Sequence, residues 1–457
     1  MNARSRSHRC SERSRYGDAF YWHKTLQTLN MKVLVVGAGG REHALSWRIS
    51  QSPIVKEVYV APGNGGTELE SLLTNVEIQA DDIEGLASFA LENEIDLTVV
   101  GPEDPLVNGI TDRFNELSLK CFGPSKGAAQ LEGSKEFMKD FLKRHNIPTA
   151  EYSTFDSTKK AIEYVEEKGC PIVIKADGLA AGKGVTIAHT IEEAKEAINQ
   201  SLETKVFGEA GNRIVIEEFL DGEEASFIVM TDGAVVIPFA SSQDHKALED
   251  NDKGPNTGGM GAYSPAPIVD DYIHEKIMEE IIHPTLKGLR KDGYKYCGFL
   301  YAGMMIDKSG QLKVLEFNCR FGDPETQPIM MRLKSDIADL CNQACEDRLS
   351  EQTLEWDQRK ALGVVMASKG YPYEYEKGKN ITNIPQERSD LKVFHAGTKI
   401  ESGILQSNGG RVLCITSLGS SVESAQNKAY DALSEIEWDD SFYRKDIGYR
   451  AVAREKK

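Results

Sequence analysis

The sequence predicts an α/β protein of several domains, and three observations carry that reading. The apolar run Met31–Val36 passes into a glycine turn and then a helical pattern, the unit from which open parallel sheets are assembled. Around Asp177–Gly184 the order changes to strand, glycine loop, strand. At 457 residues the chain has the length for roughly two to four domains with ample buried core.

Lysine and arginine number 54 and aspartate and glutamate 71, a net charge of −17. That balance argues against broad nucleic-acid or anionic-membrane surfaces and leaves local basic pockets. No run approaches the roughly 18 apolar residues of a membrane span. The eight cysteines lack CxxC spacing, Cys341 and Cys345 being the closest pair, which fits a reduced, cytoplasmic chain.

Residues 1–30 stand apart, with five arginines, Lys24, two acids and no apolar periodicity. They read either as an organelle-targeting segment or as residues upstream of the natural start, since Met31 opens the first strand directly. On either reading they form an extension without fixed structure.

The first turn, Gly37-Ala-Gly-Gly-Arg-Glu-His43, precedes a helical pattern over Ala44–Ile49 and suggests a phosphate site at a helix N-terminus. Gly39, Gly40, Arg41, Glu42 and His43 are its candidate binding residues. It fails as a dinucleotide fingerprint, because Glu42 occupies the third glycine position and the strand Val58–Ala61 ends without a ribose-binding acid. Further polar loops follow Val58–Ala61 and Asp96–Val100. Together the loops form either a ligand cleft at strand carboxyl ends or ordinary turns rich in Gly, Pro and Asn.

A helix carrying Lys135 and Lys139 ends near His145 and is closed by Ile147-Pro148. Between Ile172–Lys175 and Val185–Ala188 lies the loop with Gly182, Lys183 and Gly184. It is not a Walker A loop: the glycine spacing is one residue short, Gly184 replaces Ser/Thr, and a strand follows. It is either a plain hairpin turn or a flap whose backbone N–H groups and Lys183 fold over phosphates. Beyond a helix over Ile191–Leu202, the strand Arg213–Leu220 turns at Asp221-Gly222 into Glu223 and Glu224. Asp244, Lys246 and the glycine-dense Asn256-Thr-Gly-Gly-Met-Gly261 come next.

In Leu312–Gln327, Glu316 and Asn318 share one face of a strand while Phe317 points the other way. A carboxylate beside an amide oxygen suits Mg²⁺, a hard cation usually held by few protein oxygens together with phosphates. The plainer alternative is that both only satisfy a strand end. Arg320, Asp323 and Pro324 follow. After about residue 350 short strands at Ala361–Ala367, Lys392–Ala396 and Arg411–Thr416, then a helix over Ser421–Ile436, describe a compact α/β unit.

Lys135, Lys175, the Gly178–Gly184 loop, Glu217–Leu220 and Glu316/Asn318 resemble the ATP-grasp fold in its usual order. Gly39-Gly-Arg-Glu-His-Ala44, Asn256–Gly261 and Arg320-Phe-Gly-Asp-Pro-Glu-Thr-Gln327 narrow the resemblance to the phosphoribosylamine–glycine ligase family. The resemblance runs from Met31 nearly to the C-terminus. It implies an N-terminal open parallel-sheet domain (31–133) and an ATP-grasp domain (134–357) with a mobile lid near 152–222. A small C-terminal α/β domain (358–457) completes the chain.

The implied reaction joins glycine to 5-phosphoribosylamine through a glycyl phosphate, with ATP as co-substrate and Mg²⁺ or Mn²⁺ on Glu316 and Asn318. Lys135, Lys175 and Lys183 would neutralise phosphates beside Gly182 and Gly184. Glu217, Glu218, Phe219 and Leu220 would frame adenine, and Glu224 would accept from the ribose. Arg320, Lys175 and Lys246 would be catalytic, Arg320 holding the acyl phosphate or glycine carboxylate. Asp244, Asn256, Thr257, Gly258, Gly259, Asp323 and Pro324 would border the substrates, with phosphoribosylamine on the Gly37–His43 loop.

The family implies no nucleic-acid or membrane partner, and only transient contact with other purine-pathway enzymes. One departure is the pairing strand Gly298–Ile306, which offers no acid before Asp307, so a second metal lacks an obvious protein ligand. A different ATP-grasp ligase or carboxylase, a nicotinamide dehydrogenase and a non-catalytic binding protein are the rival readings. The two downstream motifs oppose the first, Glu42 the second, and the presence of Lys175, Glu316 and Asn318 the third.

Overall fold

A computed structural model describes residues 30–179, 184–350 and 352–456. The expected extension, apart from Asn30, and the loop residues Gly182 and Lys183 lie outside the described residues.

The first sheet is parallel, in the spatial order Leu73–Asn75, Val55–Pro62, Met31–Gly37, Leu97–Val100, Cys121–Phe122. Val33 to Val36 are fully buried, because helices cover both faces of such a sheet. The strand order reverses between Met31–Gly37 and Leu97–Val100, and that switch point opens a crevice at the strand carboxyl ends. The helix behind the first turn spans Gly40–Ile49 and so begins earlier than the apolar pattern indicates. Its early start follows from Glu42, which folds back and accepts the Gly39 N–H at 2.6 Å, satisfying one of the free donors at the helix start.

The second sheet is antiparallel, ordered Val236–Pro238, Glu223–Thr231, Gly298–Ile306, Leu312–Asn318. One continuous apolar core joins it to the first sheet, with Leu34 and Val36 in the same cluster as Phe227, Leu300 and Phe317. A bulge in Leu312–Asn318 leaves Leu315 unpaired: Met304 faces Val314, but Gly303 faces Glu316. The extra residue shifts the alternation so that Lys313, Glu316 and Asn318 share one face. Phe317 turns into the core, 1 % exposed.

A third sheet, Tyr152–Phe155, Ile214–Glu218, Ile172–Ala176 and Val185–Ala188, is also antiparallel. It has a small core of its own, including Ala161, Val165, Ile174, Ile198 and Ile216. The strand ends at Glu218, so Phe219 and Leu220 lie in the connection to the second sheet.

The last sheet runs Gln243–Asp244, Gly261–Ser264, Lys360–Ser368, Arg411–Gly419, Leu391–His395, with Ser441–Phe442 beside Lys360–Ser368. The expected boundary at residue 358 falls between strands of this one sheet. Gly261–Ser264 pairs directly with Ala361–Val364, so the final sheet is built from both sides of that boundary. Short glycine-rich strands satisfy their backbone groups across the chain, and nothing local in Gly261–Ser264 announces so distant a partner. Among the described residues no helix is long and apolar enough to cross a membrane.

Candidate active site

The second, third and last sheets and the first turn converge on a cleft of about 530 Å³. One end is apolar, lined by Met138, Val173, Ile187, Leu220 and Met305 with the Glu218–Phe219 connection. Such a slot accepts a flat heterocycle whose edge is read by connecting backbone. The other end gathers Lys135, Lys175, Lys246, Arg320 and Arg411 around several carboxylates.

Lys175 projects from Ile172–Ala176 and pairs with Glu217 Oε1 at 2.9 Å, while its ammonium also donates to the Leu315 carbonyl at 3.3 Å. Glu217 Oε2 accepts from Lys139 at 2.8 Å, and Lys139 donates to Thr149 Oγ1 at 2.8 Å. Burial lowers Lys139 to about 8 against the pull of Glu217. The Glu217 side chain therefore braces two lysines rather than facing the cleft centre. Glu218 is likewise turned aside, onto Lys313 and the Glu151 N–H. Lys135 opens the helix Lys135–Arg144 and donates to the Gly178 carbonyl at 3.0 Å, and burial lowers its pKa. Gly184 lines the cleft at the start of the return strand.

Glu316 Oε1 accepts from Lys246 at 3.0 Å, and Lys246 also pairs with Glu224. Lys246, against the cost of burial and with help from Lys175 and Lys135, holds the Glu316 carboxyl at about 2. Gly303 stands opposite, where a Cβ would come within 3.1 Å of Glu316 Cγ. The Phe317 carbonyl at 3.2 Å and Glu132 Oε1 at 3.1 Å, both acceptors, face one arm of the Asn318 amide, which assigns that arm as the nitrogen and turns the amide oxygen the other way. Among the described residues no group of three or more His, Cys, Asp or Glu could hold a metal. The Glu316 and Asn318 oxygens nevertheless fit a hard divalent cation that takes its remaining ligands from phosphate and water.

Arg320 is held by three acceptors: Glu132 at 2.6 Å, Glu103 at 3.1 Å and the Phe321 carbonyl at 3.2 Å. Arg41 pairs with Glu42 at 2.5 Å and Glu103 at 3.8 Å, reaching the cleft from the parallel sheet. Asn256, Thr257 and Gly258 line the cleft with Asp244 and Asp323. Arg411 ties them together, donating to the carbonyls of Gly258 (2.6 Å), Gly259 (3.3 Å) and Asp323 (2.6 Å). Tyr371 Oη accepts the Gly258 N–H at 3.0 Å. Asp244 Oδ1 is buried without a hydrogen-bond donor. Burial first, and Glu325 beside it second, raise the Asp244 carboxyl well above its ordinary value; burial raises Glu325 too.

Several predicted residues lie off the cleft. Gly39 and Gly40 pack against Asp323 and Gln327, and Gly259 lies behind Asp244 against Pro324. Glu42 fills the switch-point crevice. His43, 1 % exposed, accepts the His395 N–H at Nδ1 (2.9 Å), so its Nε2 carries the proton facing Glu70 at 3.2 Å. Its imidazole joins the parallel sheet to the last sheet. Glu325 falls within the Arg320–Gln327 motif, whereas no motif role singles out Glu103, Glu132, Tyr371 or Arg411. Only Lys139, one helical turn beyond Lys135, carried a local signal, since buried Met138, Phe141 and Leu142 surround it.

Family models match the chain in three consecutive pieces: the phosphoribosylglycinamide synthetase N domain at 31–132, its ATP-grasp (A) domain at 133–326 and its C domain at 361–450. The chain belongs to the phosphoribosylglycinamide synthetase family. The phosphoribosylamine–glycine ligase of Escherichia coli K12 is 61 % identical over 428 residues, covering 93 % of this chain and all of that protein. The ligase of that name from Vibrio parahaemolyticus is 58 % identical over 427 residues, with coverage of 93 % and 100 %. The crystal structure of the Thermotoga maritima phosphoribosylamine–glycine ligase superposes with a TM-score of 0.78 at 34 % identity, covering 91 % of this chain and 100 % of that one. A biotin carboxylase from Campylobacter jejuni shares the fold alone, with a TM-score of 0.71 at 14 % identity over 92 % of this chain and 99 % of that one.

Membership of the synthetase family accounts for the ATP-grasp arrangement, in which the second and third sheets face each other across the cleft.

Proposed function

We propose that this chain is an ATP-dependent ligase that joins glycine to 5-phosphoribosylamine, yielding glycinamide ribonucleotide, ADP and phosphate in de novo purine synthesis. The observation that carries the reading is the meeting of Lys135, Lys175, Lys246, Glu316, Asn318 and Arg320 in one cleft of a chain so similar to named ligases.

A glycine carboxylate oxygen attacks the γ-phosphorus, the bond to the ADP oxygen breaks, and glycyl phosphate forms. The amine nitrogen then attacks the acyl carbon, the carbon–oxygen bond to phosphate breaks, and the nitrogen gives up a proton. Both steps depend mainly on positioning and charge neutralisation. Lys135 and Lys175 neutralise phosphate oxygens; Lys175 is held in place by Glu217, itself anchored by Lys139. Lys246 and Arg320 face the anionic acyl phosphate. Glu316 and Asn318 would hold Mg²⁺ or Mn²⁺, which when bound draws charge from the phosphates. Adenine lies in the apolar end beside Glu218–Leu220, and Glu224 accepts from the ribose.

Asp244, with Glu325 beside it, takes the glycine ammonium. Its buried, unpartnered Oδ1 needs a donor, and Lys246 and Arg411 are already engaged. Arg41, which reaches the cleft beside Glu103, is the partner for the 5-phosphate.

The test is ADP release with each amino acid and each amine varied in turn. Release should require glycine and phosphoribosylamine together; equal release with another carboxylate overturns the assignment. Asn318→Ala should lower turnover about 10²–10³-fold, the usual loss when a charge-stabilising group is removed, with little change in melting temperature. Equal losses of both would make Asn318 structural.

A further inference from the structure

Glu132 belongs to no motif, yet its carboxylate meets three successive residues of the strand end. Oε1 accepts from the Arg320 guanidinium at 2.6 Å and lies 3.1 Å from the arm of the Asn318 amide that its acceptors assign as nitrogen, while Oε2 accepts the Cys319 N–H at 2.6 Å. It projects from the helix Lys126–Gly133 and is buried, 8 % exposed. We propose that Glu132 is the positioning residue that decides which atom of Asn318 faces the cation.

The physical reason lies in the symmetry of a primary amide. An asparagine side chain fits its site nearly as well when rotated by half a turn, which exchanges a metal-binding oxygen for an NH₂ group that repels a cation. Only its hydrogen-bond partners distinguish the two. An acceptor-only group beside the amide forces the nitrogen inward and the oxygen outward, and here the Phe317 carbonyl reinforces that choice. Outer groups that orient metal ligands in this way commonly govern affinity 10–100-fold. The same carboxylate holds Arg320 in register, so the cation site and the guanidinium share one brace.

This inference rests on the assignment of Glu316 and Asn318 as the metal pair, and its test separates the two. Mn²⁺ binding is measured by electron paramagnetic resonance in the presence of ADP, alongside steady-state turnover and thermal melting. Glu316→Gln should abolish tight Mn²⁺ binding; if it does not, the metal assignment falls and this inference with it. Glu132→Gln can accept at only one of its two terminal atoms, so an NH₂ group meets either the Asn318 amide or the Cys319 N–H, and Mn²⁺ binding should weaken about 10–100-fold. If Glu132→Gln binds Mn²⁺ like the parent while Glu316→Gln does not, only the role of Glu132 is overturned. Combining Glu132→Gln with Asn318→Asp reverses the polarity of the contact, the new amide donating to a carboxylate that keeps an oxygen for the metal. The double variant should therefore bind Mn²⁺ more tightly than Glu132→Gln alone. A double variant no better than the single one would mean that Glu132 only supports the fold.

Discussion

Glu42 accepts the Gly39 N–H at 2.6 Å, and its carboxylate lies at the strand ends Gly37 and Gly101, where neither position has room for a Cβ. The crevice that a dinucleotide-binding sheet offers to pyrophosphate is here filled by the protein's own negative charge. Glu42→Ala should remove the cap and leave Arg41 without its nearest partner, lowering stability by about 2–4 kcal/mol. Urea unfolding measures this, and Glu42→Gln, which can still cap Gly39, should lose less. Equal stability of the alanine variant would refute the account.

On the proposed reading Asp244 takes the glycine ammonium, which it can do only when ionised. Its carboxyl is raised by burial, so as the pH is lowered it is protonated earlier than an ordinary carboxylate and that hold would be lost. The KM for glycine should rise as the pH is lowered, while the KM for ATP changes little. Asp244→Asn should raise the glycine KM about 10–100-fold, the loss expected when a buried charged acceptor loses its charge, and should flatten its pH profile. A variant that loses only kcat would place Asp244 in another role.

Arg411 comes from the last sheet yet pins Gly258, Gly259 and Asp323 with one guanidinium nitrogen. A lysine is shorter and lacks the second guanidinium nitrogen, which faces Asp323 Oδ2 at 3.5 Å. Arg411→Lys should cost roughly 10²-fold in kcat/KM through loss of positioning, with near-normal binding of ADP by calorimetry. Weakened ADP binding of similar size would instead indicate collapse of the whole cleft.

Burial works to raise the Glu70 carboxyl, but hydrogen bonds from His43 and Lys392 outweigh it and hold it at about 2, below the ordinary 4.5. Because the folded value is depressed, its contribution is complete above about 4.5 and is lost as pH falls through about 2. That contribution is at most about 3 kcal/mol at neutral pH. Lys392 packs over Trp47 and pairs with Glu70 at 2.6 Å, so acid should first loosen the last sheet from the first. Urea unfolding at pH 6 and pH 3.5 should show a larger loss for the parent than for Glu70→Gln; parallel losses would exclude this link.

Much of the fold was legible because its signals are local. Met31–Val36, the hairpin around Asp177–Gly184, Gly298–Ile306 and the helix Ile191–Leu202 announce themselves through apolar runs, glycine turns and helical spacing. Glu316 and Asn318 were legible for the same reason, and the bulge at Leu315 does not break their alternation because it lies just before them. The strand Glu223–Thr231 was passed over after its first two acids. It is buried almost throughout, so its residues lack the alternation that marks a half-buried strand.

Local chemistry written along the chain decided the α/β class, the glycine turns and the lysine and carboxylate candidates, since backbone preference and hydrophobic period act over a few residues. Tertiary structure alone decided what those groups face. It turned Glu42 and His43 inward, brought Arg411 and Tyr371 from more than a hundred residues away, and set Glu132 beneath Asn318. Such partnerships depend on burial and charge across distant segments, and no short stretch of sequence specifies the other side of a contact.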